Sequence, residues 1–84
     1  MTFEIAWSDN AIKQLNKLER PIAKRIFEKV GELRENPYRY LAKVAGSECF
    51  RMRIGDYRVL VDVNDRSKII VLKIGHRKDI YKQF

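Results

Sequence analysis

Residues 49–75, CFRMRIGDYRVLVDVNDRSKIIVLKIG, decide the fold. Apolar and polar residues alternate there with a period of two, and the alternation breaks at Gly55-Asp56 and again at Asn64-Asp65-Arg66-Ser67. Such a period puts successive side chains on opposite faces of a strand. The stretch predicts a three-stranded antiparallel meander over about 49–54, 57–63 and 68–75. Glycine in the first position of a two-residue loop suits a type II′ turn, which fixes the register of the strands it joins.

That register separates two faces. With Gly55-Asp56 as the loop, Ile54 opposes Tyr57, Arg53 opposes Arg58, Met52 opposes Val59 and Arg51 opposes Leu60. A loop at Asn64 to Ser67 then places Val63 against Lys68, Val59 against Leu72 and Arg58 against Lys73. The expected core face carries Phe50, Met52, Ile54, Tyr57, Val59, Val61, Ile70, Leu72 and Ile74. The opposite face carries Arg51, Arg53, Arg58 and Lys73, with Leu60 and Val71 among them. Like charges directly across a sheet destabilise it, so a row Arg53, Arg58, Lys73 does nothing for folding. One reading is a solvated face on which long side chains splay apart. The other, favoured because no acid interleaves the row and Asp62 lies near its far end, is an anion site. Phosphate is the natural ligand, since a guanidinium stays charged and its planar fork holds two phosphate oxygens at once.

Upstream, Phe3, Ile5 and Trp7 alternate with Glu4 and Ala6, which reads as a short strand over about 2–7. Ser8 is a good N-cap, and Ala11, Ile12, Leu15 and Leu18 recur at helical spacing, giving a helix to about Glu19. A second helix starts near Pro21, carries Ile22, Ile26, Phe27, Val30 and Leu33 as one apolar stripe, and stops at Asn36-Pro37. Residues 37–48 show no period and read as a loop, and His76 to Phe84 has room for one helical turn. The expected class is α+β: an N-terminal strand, a two-helix hairpin, then the three-stranded meander, all strands in one sheet packed on the helices. A chain of 84 residues supports one core, so residues 1–84 are expected to form a single domain.

Composition bounds the chemistry. One cysteine, Cys49, and one histidine, His76, make neither a disulfide nor a protein-built metal site, so no metal and no cofactor are expected. No apolar run approaches a membrane span, and Met1-Thr2-Phe3-Glu4 lacks the basic-then-apolar order of a signal peptide, so a cytoplasmic protein without a membrane partner is expected. The net charge is +7, and it is uneven: residues 1–48 hold nine basic and seven acidic side chains, residues 49–84 nine and four. A basic C-terminal part suits a polyanion such as nucleic acid or an acidic protein, or serves solubility alone. Arg77 and Lys78 continue the basic surface past the last strand, and Tyr81 offers a ring to stack on a base or a hydroxyl to reach a phosphate. Tyr81 packing the tail against the body is an equal reading. His76 is the one imidazole of the chain, a candidate for proton transfer or simply a polar surface residue. Cys49, beside Phe50 in a strand, reads as a small semi-buried residue with no catalytic role.

The order of elements, with Phe50-Arg51-Met52-Arg53-Ile54-Gly55-Asp56-Tyr57-Arg58-Val59 and Ile74-Gly75-His76-Arg77-Lys78-Asp79-Ile80-Tyr81, resembles the RelE/ParE toxin superfamily over essentially the whole chain. The resemblance implies the toxin of a type II toxin-antitoxin pair. The positions of the RelE-type branch are filled by Arg51, Arg53, Arg58, Arg77 and Tyr81, with His76 as a further proton-transfer candidate and Lys73 and Lys78 as RNA contacts. One departure stands out: RelE proteins carry Lys where this chain has Arg51 and Arg53. The implied activity is a ribosome-dependent, metal-independent endoribonuclease that cleaves mRNA by 2′-hydroxyl attack on the adjacent phosphate and so inhibits translation. The implied partners are mRNA, the ribosome and a neutralising antitoxin, for which Leu60 and Val71 would suit an amphipathic helix. The alternatives are a ParE-like inhibitor of DNA gyrase without nuclease activity, or a non-catalytic RNA-binding module.

Overall fold

The computed structural model describes residues 2–64 and 66–80. The chain runs β1 (Glu4–Trp7), α1 (Asp9–Asn16), α2 (Arg20–Gly31), two short 3-10 turns (Glu32–Arg34 and Pro37–Arg39), β2 (Leu41–Lys43), β3 (Phe50–Ile54), β4 (Tyr57–Asn64) and β5 (Lys68–His76). This is the α+β class expected, but the sheet has five strands in the order β1-β5-β4-β3-β2, so the meander extends over four strands rather than three. The added strand, β2, lies in the stretch read as a loop and pairs Leu41, Ala42 and Lys43 with Met52, Arg51 and Phe50. Three residues are too few for a period to register. What makes the hairpin is its loop, where Val44 N–H donates to Cys49 O, Ser47 N–H donates to Val44 O, and Gly46 takes φ +75°.

The β3–β4 register is the expected one at all four predicted pairs. Gly55 has φ +57° and Asp56 stays in the negative region, as a type II′ turn requires. The β4–β5 register differs. Asn64, not Val63, opposes Lys68, because the Asn64 side-chain oxygen accepts from the N–H groups of Arg66 and Lys68 and Ser67 turns at φ +60°. A bulge at Leu72 then shifts the pairing again, so Leu60 opposes Lys73 and Arg58 opposes Gly75. The core residues of β5 are therefore Ile69, Val71 and Ile74, with Ile70 and Leu72 only partly buried.

The bulge has a tertiary cause. β1 runs parallel to β5 as far as Trp7 opposite Val71, and Ser8 N–H donates to Val71 O. Beyond that point α1 takes over the edge with its side chains. Ser8 Oγ and Asn10 Nδ2 donate to Leu72 O, and Gln14 Oε1 accepts from Ile74 N–H at 2.6 Å. Buried backbone groups need such partners. Ser8 also caps α1 by accepting from Ala11 N–H.

The helices cover one face of the sheet through Ala11, Ile26 and Val30, with Leu33 of the following turn. α1 ends at Asn16, short of Glu19, and α2 gives way at Gly31 to a 3-10 turn instead of continuing to Asn36. Phe27 leaves the expected stripe: it is 57% exposed and stacks on Trp7, ring centroids 5.7 Å apart. Among the described residues no helix is long and apolar enough to cross a membrane.

The other face carries a second, smaller cluster of Val44, Leu60 and Ile80. The turn after β5, closed by Asp79 and Ile80 N–H groups donating to His76 O, folds Ile80 back onto Gly75. A Cβ at Gly75 would lie 2.9 Å from Ile80 Cδ1, and Ile80 is fully buried. Gly75→Ala is expected to lower stability by about 1 kcal/mol through overpacking. In an Ile80→Val background, which removes the clashing methyl, the same substitution should cost distinctly less; urea unfolding of the four proteins measures the coupling.

Candidate functional site

The Gly55-Asp56 turn collects the basic residues. Alternation in the observed register puts Arg53, Arg58 and Gly75 in one outward row, and Ala42, Arg51, Leu60 and Lys73 in the next. Lys73 therefore sits diagonally from Arg58 instead of beside it. Arg51 and Arg53 are exposed, and Arg58 is half-buried. Arg58 Nη1 donates to Gly55 O at 2.9 Å and to Tyr57 O at 2.8 Å, so its guanidinium is seated on the turn's own carbonyls. Those acceptors leave the other guanidinium N–H groups to make further contacts, since the fork carries five donors.

Arg77 approaches the same turn from the chain's other end. Its N–H donates to Asp56 O at 2.7 Å, and its Nε lies 3.8 Å from Asp56 Oδ1, with side-chain exposures of 54% and 68%. An ion pair this open contributes at most about 1 kcal/mol and yields readily to a stronger anion. Lys78 is exposed one residue further on. A fifth arginine, Arg25 of α2, is not marked by the sequence pattern: its guanidinium atoms lie 3.2–3.8 Å from where a Gly55 Cβ would stand. Glycine at position 55 is legible as a turn residue, but nothing in the spacing of α2 tells that Arg25 meets it.

Two expectations are corrected. The outward face does not offer Leu60 and Val71 to a partner helix, because Leu60 is 1% exposed beneath Val44 and Ile80 and Val71 belongs to the main core. His76 does not join the arginines. It opposes Tyr57 on the helix side of the sheet, where the two rings meet edge to face at 5.7 Å, and its Nδ1 accepts from Lys78 N–H. Tyr81 lies outside the described residues. Cys49 is half-buried just before β3. In chemical terms the arrangement is an open electropositive face built of guanidiniums, suited to binding phosphate and to stabilising negative charge that grows on it.

Comparison with known proteins bears on what such a face serves. Residues 5–81 match the family described as the ParE toxin of the type II toxin-antitoxin system, parDE. Toxin RelG of Mycobacterium tuberculosis is 29% identical over 89 aligned positions, which cover 99% of this chain and 100% of that protein. Among solved structures, a chain of the toxin-antitoxin complex RelBE2 from Mycobacterium tuberculosis superposes with a TM-score of 0.81 at 25% identity, covering 92% of this chain and 100% of that one. A chain of the archaeal RelE-RelB complex from Pyrococcus horikoshii gives 0.79 at 28% identity, covering 94% and 99%.

Because two backbone acceptors hold Arg58, Arg58→Ala is expected to lower stability by about 1 kcal/mol, a hydrogen-bond loss partly offset by removing the like charge opposite Arg53. Asp56→Asn, which weakens only the exposed pair with Arg77, should move it by less than about 0.5 kcal/mol. Guanidinium unfolding of both variants measures the contrast.

Proposed function

The chain belongs to the ParE toxin family of type II toxin-antitoxin systems, within the RelE/ParE superfamily, and from that premise we propose that it is a RelE-type endoribonuclease acting on mRNA at the ribosome and neutralised by a cognate antitoxin. The observation that carries the reading is the set Arg51, Arg53, Arg58 and Arg77 on and around one two-residue turn, with Lys73 and Lys78 at its margin. A protein that only had to dock on another protein has no need of three guanidiniums on one sheet face and a fourth at the adjoining turn, whereas an RNA strand presents a phosphate at every step.

In this mechanism a ribose 2′-oxygen attacks the adjacent phosphorus. The new 2′-O–P bond forms as the P–O5′ bond breaks, leaving a 2′,3′-cyclic phosphate and a 5′-hydroxyl; the 2′-hydroxyl proton leaves and the departing 5′-oxygen gains one. Charge accumulates on the non-bridging oxygens of the transition state. Arg58, already fixed by the turn carbonyls, and Arg77, held loosely by Asp56, stabilise that charge. Arg51 and Arg53 grip the flanking phosphates and hold the 2′-oxygen in line. Guanidiniums remain protonated and are poor bases, so proton movement falls to another group, for which Tyr81, directly after the anchored Ile80, is the candidate.

The family description favours a second reading, a ParE-like inhibitor of DNA gyrase with no nuclease activity. One experiment separates the two. The chain is induced alone, message 5′ ends are mapped on translating ribosomes in the presence of chelator, and purified gyrase is assayed for supercoiling. New cuts phased to codons, reduced about 100- to 1000-fold by Arg58→Ala, are the expected result. Inhibited supercoiling with intact message would establish the gyrase reading instead.

A further inference from the structure

We propose that the cleft between α2 and the end of β3 is a second phosphate site, which holds the backbone of a single RNA strand as it leaves the outward face. The inference rests on that face being an RNA surface. The cleft, about 280 Å³, is lined by Arg25, Lys29 and Glu32 on the helix side and by Tyr40, Arg53 and Gly55 on the sheet side. β2 pairs with β3 only as far as Met52, so Arg53 stands on an open strand edge. Arg53 thus belongs to two places at once: the outward row with Arg58, and this cleft with Arg25. A strand gripped at Arg58 has a continuous cationic path around the sheet edge to α2.

The charges in the cleft are not consumed by the protein. Among the described residues neither the Arg25 nor the Arg53 guanidinium engages in a hydrogen bond or ion pair. The one acid present, Glu32, lies 3.5 Å from Lys29 Nζ, so it offsets the lysine and leaves both guanidiniums in excess. Gly55 matters here because its missing Cβ lets the Arg25 guanidinium come within 3.2–3.8 Å of that position. Tyr40 adds a ring that is 41% exposed, with the Arg39 guanidinium 5.8 Å from its centroid. Paired guanidiniums beside an open aromatic ring match a single strand, whose phosphates take the forks and whose unstacked bases offer a face to the ring. A duplex hides its base faces and uses only the charge.

The test uses the full chain and a fluorescent dodecamer of 2′-O-methyl RNA, which lacks the attacking hydroxyl and stays intact, with binding followed by anisotropy across a salt series. Arg25→Ala and Arg25→Gln are each expected to weaken binding about tenfold and to lower the log-log salt slope by roughly 0.7, the loss of one phosphate contact to a single strand. Lys17→Ala, the same charge change at the end of α1, should leave affinity within about twofold. Wild-type affinity in both Arg25 variants, an equal loss in Lys17→Ala, or displacement by an acidic dodecapeptide but not by unlabelled RNA would overturn the site, the last in favour of a protein ligand. The outcome is separable from the nuclease reading. A chain that cuts no message yet binds RNA through Arg25 keeps the cleft and loses the enzyme, and a chain that cuts message with Arg25 irrelevant to binding does the reverse.

Discussion

The turn at Gly55-Asp56 is the constraint on which the rest of the molecule depends. Two residues are the shortest link between antiparallel strands, and with Gly55 at φ +57° the turn follows the natural twist of the pair and admits one register only. That register brings Arg53 and Arg58 face to face. The turn also answers the repulsion it creates, since the carbonyls of Gly55 and Tyr57 accept from Arg58 and the Asp56 carboxylate draws Arg77. The bare backbone of Gly55 admits Arg25 from the helix layer. Any side chain at position 55 would have to adopt a disfavoured backbone conformation and push Arg25 away, so one residue governs both the sheet and the charge arrangement.

The sheet works on two sides of unequal weight. Its helix side holds the main core, and its outward side holds, among the described residues, the small buried cluster of Val44, Leu60 and Ile80 amid the cations. That small cluster closes the hairpin loop after β2 and the turn after β5 over the same strand. It also removes the apolar foothold that Leu60 would have given a partner. Exposed aromatic surface lies instead at Phe27, which stacks on Trp7 of β1, and at Tyr38 and Tyr40.

How far the sequence could be read followed the range of the interactions. The β3–β4 hairpin was legible because a two-residue turn and a period of two are local signals, and they suffice to pair Arg53 with Arg58. The β4–β5 pairing was not, because the Asn64 side chain captures two N–H groups and shifts the register by one, and Ser8, Asn10 and Gln14, some sixty residues away, stabilise a bulge that shifts it by one more, so that Lys73 ends two positions from where local signals put it. β2 was missed because three residues carry no period. Phe27 fitted the helical stripe by spacing, yet it lies against Trp7 on the surface, which only packing decides. Of the proposed site, the arginines of β3 and β4 were legible as an outward row. Arg25 was not, since its only signal is a neighbour thirty residues away.

The parallel pairing of β1 with β5 has a consequence in time. Glu4 opposes Lys68 and Trp7 opposes Val71, so among the described strands the earliest made is completed by the latest. With synthesis at about 5–20 residues per second, each residue of β1 waits about 3–13 s for its partner, which is made 64 positions later (68 − 4). A nascent chain carrying Arg51, Arg53 and Arg58 still lacks the strand that bears Gly75 and the turn that bears Arg77. Because loop closure over such a span must precede the contacts that reward it, the native sheet is closed late and all at once. A half-made copy therefore has the charges but not the scaffold, and the finished surface first exists once β5 and the turn after it have been made.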